Sequence, residues 1–307
     1  MAVSFKPHKA RLGNAASPLS RGLAALVVLV GLCGCVDVPS ARPPEAAETA
    51  RQASEAPAPP EVYIFRGMGG HYTSIEMDRL ATLIEQNGAR TEVNDYVMWI
   101  SVADKVIAKS RRDDRKPTVV TIGHSAGGDA AIRFAERLQQ SGISVSLLVT
   151  IDPTKLAPDI PGNVVRFINV YESANFLGGG NPSPAHDFHG AFASVDLKDW
   201  NVAHLEVPKI DGLQTAVAAK VAQLALAPIM ADPSALPIAY AVPRAEPIEL
   251  WDSGVAIRAT EGDTASSVAA KYAVPVWAIA EINRISPSAT LTDNQRLVIP
   301  HNLYGGT

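Results

Sequence analysis

The sequence is poor in cysteine, nearly balanced in charge, and its leading apolar run is too short to cross a bilayer. Each shortage removes a class of protein. Among 307 residues there are two cysteines, Cys33 and Cys35, both near the N-terminus. The body of the chain therefore has no disulfide framework and no cysteine-based metal site. A formal net charge of -4 gives no reason to expect a nucleic-acid partner. The apolar run from Gly22 to Leu32 falls short of a membrane-spanning helix.

What that run does suit is the core of a signal peptide. Lys6, Lys9, Arg11 and Arg21 precede it, and it closes on Leu32-Cys33-Gly34-Cys35. These four residues resemble a bacterial lipobox, which implies that Cys35 is lipidated and becomes the new N-terminus. Acyl chains would then hold the protein on a membrane, facing the periplasm or cell wall. A plain signal peptide and an N-terminal anchor helix are the alternatives.

Composition divides the remainder. Residues 1–35 form the leader. Residues 36–60 are rich in Pro, Ala and Glu with almost no large apolar side chain, and read as an extended tether. A first folded unit is expected over 61–227. Five prolines between residues 226 and 254 argue against a continuous helix or a central strand, so 228–253 is read as a linker. A second, small unit follows over 254–302.

The first unit alternates strands and helices. "VYIFRG", "ARTEVND", "PTVVTIG", "VSLLVTID", "NVVRFINVY" and "FASVDL" read as strands. "TSIEMDRLATLIEQNG" reads as a helix with a Thr73–Glu76 capping box and a stop at Gly88. "MWISVADKVIAKS", "GDAAIRFAERLQQSG" and "DGLQTAVAAKVAQLALA" read as further helices, the last capped by Asp211. This alternation predicts a doubly wound, mostly parallel α/β sheet, with ligands at the carboxyl ends of its strands.

Gly123-His124-Ser125-Ala126-Gly127 falls between a strand and a helix. A Gly-x-Ser-x-Gly turn there projects the serine hydroxyl above the sheet edge, at a helix N-terminus that favours developing negative charge. Ser125 is the candidate nucleophile. It needs a base, and the base needs an orienting carboxylate. His204 follows the last of these strands and precedes the last helix, where the base belongs. Asp152 ends the strand after the serine unit and precedes Pro153, which marks a turn. Glu172, at the end of the next strand, is the second candidate acid. The backbone N–H groups of Ala126 and of Met68, within "RGMGG", are the candidate oxyanion donors. His186, Asp187 and His189 make a poor metal set; neither a metal nor another cofactor is expected. They belong instead to the Gly-rich loop "NFLGGGNPSPAHDFHGA", which is placed to overhang the site.

Over residues 61 to 227, "RGMGG", "GHSAGG", "TIDPT" and "NVAH" resemble the α/β-hydrolase superfamily, and in particular small lipase- and esterase-like bacterial hydrolases. The chain departs from that family in lacking the two leading strands of the full fold and any sizeable cap domain, which suggests an open site; the resemblance implies an acyl ester as substrate. The second unit resembles a LysM module, on Gly262-Asp263-Thr264, Val268-Ala269, Tyr272, Ala280-Glu281-Ile282-Asn283 and Gln295-Arg296-Leu297-Val298-Ile299-Pro300. That implies a βααβ fold that binds peptidoglycan or another N-acetylglucosamine-containing glycan. Gly262, Asp263, Thr264, Ile285 and Ser286 are the implied contacts. Two readings remain: a cell-envelope serine hydrolase, and a non-catalytic wall-binding lipoprotein with a degenerate hydrolase unit.

Overall fold

A computed structural model of the chain describes residues 58–113, 118–226 and 234–303. The leader, with Cys33 and Cys35, and most of the tether lie outside the described residues. The described residues fall in one compact unit.

Strand β1 (Glu61–Arg66) starts the sheet, and helix α1 (Glu76–Gln86) follows it. β2 (Arg90–Asp95), α2 (Trp99–Arg112) and β3 (Val119–His124) come next, then α3 (Ala126–Gln139). β4 (Leu147–Ile151), β5 (Arg166–Tyr171) and β6 (Ala191–Asp196) are joined by loops, and α4 (Asp211–Leu226) follows β6. β7 (Ile238–Ala241) completes the sheet. The order is β2-β1-β3-β4-β5-β6-β7, and every neighbouring pair is parallel.

Side-chain alternation decides which helix covers which face. In β1, Val62 and Ile64 join the cluster buried under α1 and α4, whereas Tyr63 and Phe65 join the cluster under α2 and α3. α1 turns Met77, Leu80, Ala81 and Ile84 inward, an i, i+3, i+4, i+7 stripe. The winding reverses between β1 and β3, so the crevice outside their carboxyl ends is where this architecture places a ligand.

Two details depart from the expectations. The capping box at Thr73 is not made: α1 begins at Glu76 without a side-chain cap. Residues Gly70–Tyr72 instead form a 3-10 turn, which brings the Thr73 hydroxyl back to donate to the Met68 carbonyl. The second concerns the proline-rich stretch 228–253. Its residues Ile238–Ala241 form β7, pairing with β6 in the register Val195↔Tyr240. Pro237 and Pro243 flank the strand, and an edge strand tolerates prolines at its borders.

The C-terminal region is built from β8 (Ser253–Arg258), α5 (Ala265–Lys271), α6 (Val276–Asn283) and β9 (Arg296–His301). β8 and β9 pair antiparallel. A small core of its own includes Ala265, Val268, Ile279, Leu297 and Ile299. It does not hang free of the sheet. Trp277 of α6 lies 5.6 Å from Trp251 and 6.2 Å from Tyr240 of β7, ring centre to ring centre. Lys220 of α4 donates to the Asn302 carbonyl oxygen of the side chain at 2.6 Å.

Candidate active site

The turn from β3 into α3 holds Ser125 at φ 57° and ψ -131°, a strained conformation for a residue with a side chain. Two glycines make the turn possible. A Cβ on Gly123 would meet the Gly127 carbonyl oxygen at 1.9 Å, and one on Gly127 would meet the Phe65 carbonyl oxygen at 2.1 Å. The spacing of Gly, Ser and Gly is therefore a steric requirement of this elbow.

Ser125, His204 and Asp152 come together in one hydrogen-bonded chain. His204 Nε2 is 2.8 Å from Ser125 Oγ, and Nδ1 is 2.7 Å from Asp152 Oδ2. An ionised Asp152 accepts only, so Nδ1 carries the hydrogen and Nε2 is left to accept from the serine. Asp152 is fully buried, at φ 45° just past β4. Three further donors converge on it. The backbone N–H groups of Glu172 (3.0 Å) and Gly179 (2.8 Å) reach Oδ1, and Asn175 Nδ2 (2.8 Å) reaches Oδ2. A buried carboxylate with four donors is held in one orientation. Glu172, the second candidate acid, serves this arrangement through its main chain. Its own carboxylate accepts from Ala174 N at 3.2 Å.

The Gly-rich loop lies directly on the acid–base pair. A Cβ on Gly178 would meet Asp152 Oδ2 at 2.3 Å and His204 Nδ1 at 2.4 Å. The loop is fixed from beneath by a buried ladder: Thr150 Oγ1 donates to Asn169 Oδ1 at 2.7 Å, and Asn169 Nδ2 donates to the Gly180 carbonyl at 2.9 Å. Nothing in the hydrophobic pattern announces this ladder, because Thr150 and Asn169 occupy strand positions that read as ordinary core.

His124 sits inside the elbow. It proves to join two parts of the site. Its Nε2 is 3.3 Å from the His204 backbone carbonyl, and its Nδ1 is 3.1 Å from Ser74 Oγ. Ser74 Oγ in turn accepts from Gly67 N at 3.2 Å. The ends fix the polarity: Gly67 N–H only donates and the carbonyl only accepts. Ser74 therefore donates to Nδ1, and Nε2 carries the hydrogen. Burial, and then the neighbouring His204, lower the His124 pKa to about 4, so the ring is neutral.

Of the candidate oxyanion donors, Ala126 opens α3, and its N–H has no acceptor within the helix. Met68 lies on the loop after β1, beside Gly67, where an added Cβ would come within 2.9 Å of Ser125 Cβ. The loop thus abuts the serine. His186 and Asp187 line a separate cavity with Gln139, whose Nε2 donates to Asp187 at 2.7 Å. Among the described residues no three His, Cys, Asp or Glu side chains group to hold a metal ion.

In the C-terminal region, Asp263 Oδ2 accepts from Thr260 N at 2.8 Å, a bond that lowers its pKa. Thr264 caps α5 in a reciprocal bond pair with Ser267. An isolated bridge between Thr264 and Thr290, with Ala265 N donating to the Ala289 carbonyl, brings the Gly262–Thr264 turn beside the chain that follows Ile285 and Ser286.

The parallel sheet, the elbow at the end of β3 and the loops over the carboxyl edge define an α/β-hydrolase-like fold. Solved structures similar to it include a candidate hydrolase of the α/β superfamily from Xanthomonas campestris. The two are 18% identical with a TM-score of 0.35, over 54% of this chain and 97% of that one. A protein of unknown function from Agrobacterium tumefaciens, described as a candidate α/β hydrolase, is 11% identical with a TM-score of 0.43, over 58% and 91%. An esterase from the archaeon Pyrobaculum calidifontis is 14% identical with a TM-score of 0.38, over 56% and 77%. No match is found among curated proteins. At such low identities the fold assignment rests on the chain's own topology. The C-terminal region is more sharply defined: residues 257–300 match the LysM domain.

Proposed function

We propose that the chain is a serine hydrolase of carboxylic esters, carried with a glycan-binding LysM domain on a bacterial envelope lipoprotein. The observation that carries the catalytic part is the chain Ser125 Oγ–His204–Asp152, with links of 2.8 and 2.7 Å. Ser125 Oγ attacks the ester carbonyl carbon while His204 Nε2 takes its proton. Asp152 stabilises the imidazolium, and the N–H groups of Ala126 and Met68 hold the tetrahedral oxyanion. His204 then delivers its proton to the leaving alkoxide. Water, activated by the same nitrogen, hydrolyses the acyl-enzyme. The neutral His124 and the four donors on Asp152 keep the base and acid in place between the two halves.

A fluorophosphonate probe, which labels activated serines, tests this reading. Labelling of the wild-type chain and its loss in Ser125→Ala support it. Absence of labelling in a folded wild-type chain favours the non-catalytic wall-binding alternative. The glycan reading rests on the LysM match and is tested by sedimentation with purified peptidoglycan against a control protein. The anchor reading rests on the motif ending at Cys35. Fatty-acid labelling that persists in Cys35→Ser rejects it.

A further inference from the structure

The large apolar side chains left in water are not scattered over this molecule. Of the eleven such residues among those described, nine lie between the carboxyl end of a sheet strand and the helix or strand that follows, and a tenth, Ile100, is in the first turn of α2. The eleventh, Tyr272, is in the LysM domain. The amino-edge turns of the same sheet carry none among the described residues. Single exposed apolar residues are ordinary; a set confined to one edge calls for a ligand.

The members nearest the triad are tied to it by chain continuity. Met68 carries a candidate oxyanion N–H and is 68% exposed. Phe176, 89% exposed, and Leu177 stand between Asn175, which donates to Asp152, and Gly178, which packs on the Asp152–His204 bond. Leu205 follows His204 directly. Leu156, 88% exposed, follows Thr154, which donates to Asp129 in the first turn of α3. Four separate loops that carry or adjoin the site residues thus present apolar groups at this edge of the sheet.

We infer that this rim seats an aliphatic acyl chain, so that the substrate is an ester of a fatty acid of about eight carbons or more. This rests on the hydrolase reading. The rim is open, so it covers one side of the chain rather than enclosing it. A methylene fully buried contributes about fourfold and one covered on a single side about twofold. Octanoate carries six more methylenes than acetate, which gives a preference of roughly 50-fold in kcat/KM.

The test uses the full chain with p-nitrophenyl acetate and p-nitrophenyl octanoate, both kept below the concentration at which the octanoate aggregates, and compares it with Leu156→Ser/Phe176→Ser. The wild type is expected to prefer octanoate by roughly 50-fold, and the double variant to lose about tenfold of that ratio, chiefly through KM. A ratio near one in the wild type, or one unchanged in the variant, overturns the inference. So does a self-associated chain that the same double substitution makes monomeric while the ratio stays put, because the rim would then be an interface between copies. Fluorophosphonate labelling separates the two levels. Label at Ser125 without an octanoate preference removes only the acyl assignment; no label and no turnover of either ester removes the hydrolase reading with it.

Discussion

Asp152 and Asp252 are both sealed from solvent, and they are held in opposite ways. Asp152 receives four directed hydrogen bonds of 2.7 to 3.0 Å, three of them from amide N–H groups. Asp252 faces two cations instead. Arg166 Nε and Lys220 Nζ each stand 3.6 Å from its Oδ2, and Leu303 N donates to Oδ1 at 3.1 Å. Burial lowers the Lys220 pKa, although the charge of Asp252 works against that. Short, directed bonds fix an orientation, which is what a base's partner needs. Longer contacts among buried charges fix only which elements lie together: here β5, α4, the residue before β8 and the residues just after β9. On the proposed mechanism the first arrangement would govern rate and the second stability.

Ways to break that contrast can be ranked. Ser125→Ala and His204→Ala should each cost at least ~10⁴-fold in kcat, and the double variant should be little worse than either single one, since the residues act as a unit. Steady-state kinetics on an acyl ester reads this directly. Additive losses would mean that the two do not share a step. Asp152→Asn should cost roughly 10³-fold or more in kcat, because the amide no longer fixes the imidazole tautomer or stabilises its cation. Far-UV circular dichroism should remain that of the wild type. Asp252→Asn should do the reverse. Turnover per folded molecule should stay within about twofold, while urea unfolding shows a loss of about 3–5 kcal/mol, since two cations are left buried without their counter-charge. A rate defect without a stability defect would erase the distinction between the two carboxylates.

The next effect is smaller and depends on pH. His124 has a folded pKa of about 4 against about 6.5 in an unfolded chain. The unfolded state therefore binds more protons between these values. Stability should be full above about pH 6.5, fall as the pH drops toward 4 and level off below that, by roughly 3 kcal/mol at most. Urea melts of wild type and His124→Phe at pH 7, 5.5 and 4.5 check this: the variant is weaker throughout but should lack this part of the slope. An identical slope in both would assign it to other groups. The smallest effect is expected for Glu172→Gln. Its side chain bonds only its own loop and its main chain serves Asp152, so kcat should change by less than about threefold. A loss as large as that of Asp152→Asn would exchange the roles of the two acids.

Much of this was legible from residue order alone. Strand and helix periods place the parallel sheet, and the elbow motif points at Ser125. The turn at Asp152-Pro153 and the position of His204 select the two side chains that the structure joins to it. What stayed hidden depends on backbone direction. Ile238–Ala241 is four residues long and bracketed by prolines, and only the exposed edge of β6 makes it a strand. The N–H groups of Glu172 and Gly179 carry no side-chain signature, so their aim at Asp152 appears only once the loop is folded. The Ser74–His124 link spans 50 residues between groups that each read as local turn chemistry. The contact of the LysM domain with the sheet was hidden as well: Trp277 looks like helix core until Tyr240 and Trp251 arrive from β7 and the segment beyond it.

That junction has a mechanical meaning. The path from the sheet to the LysM domain runs through Val242, Ile248, Leu250 and Trp251, all buried. Only the short turn around Arg244, Ala245 and Pro247 is exposed, which leaves little slack to take up a pull. Tension applied at the Gly262–Thr264 turn passes into the Trp251–Trp277 contact and the β6–β7 hydrogen bonds as shear, and torque on the domain turns the whole sheet with it. If the LysM domain grips a wall glycan, these contacts would hold the edge at Ser125 at one bearing toward it, as a jaw is held on a handle.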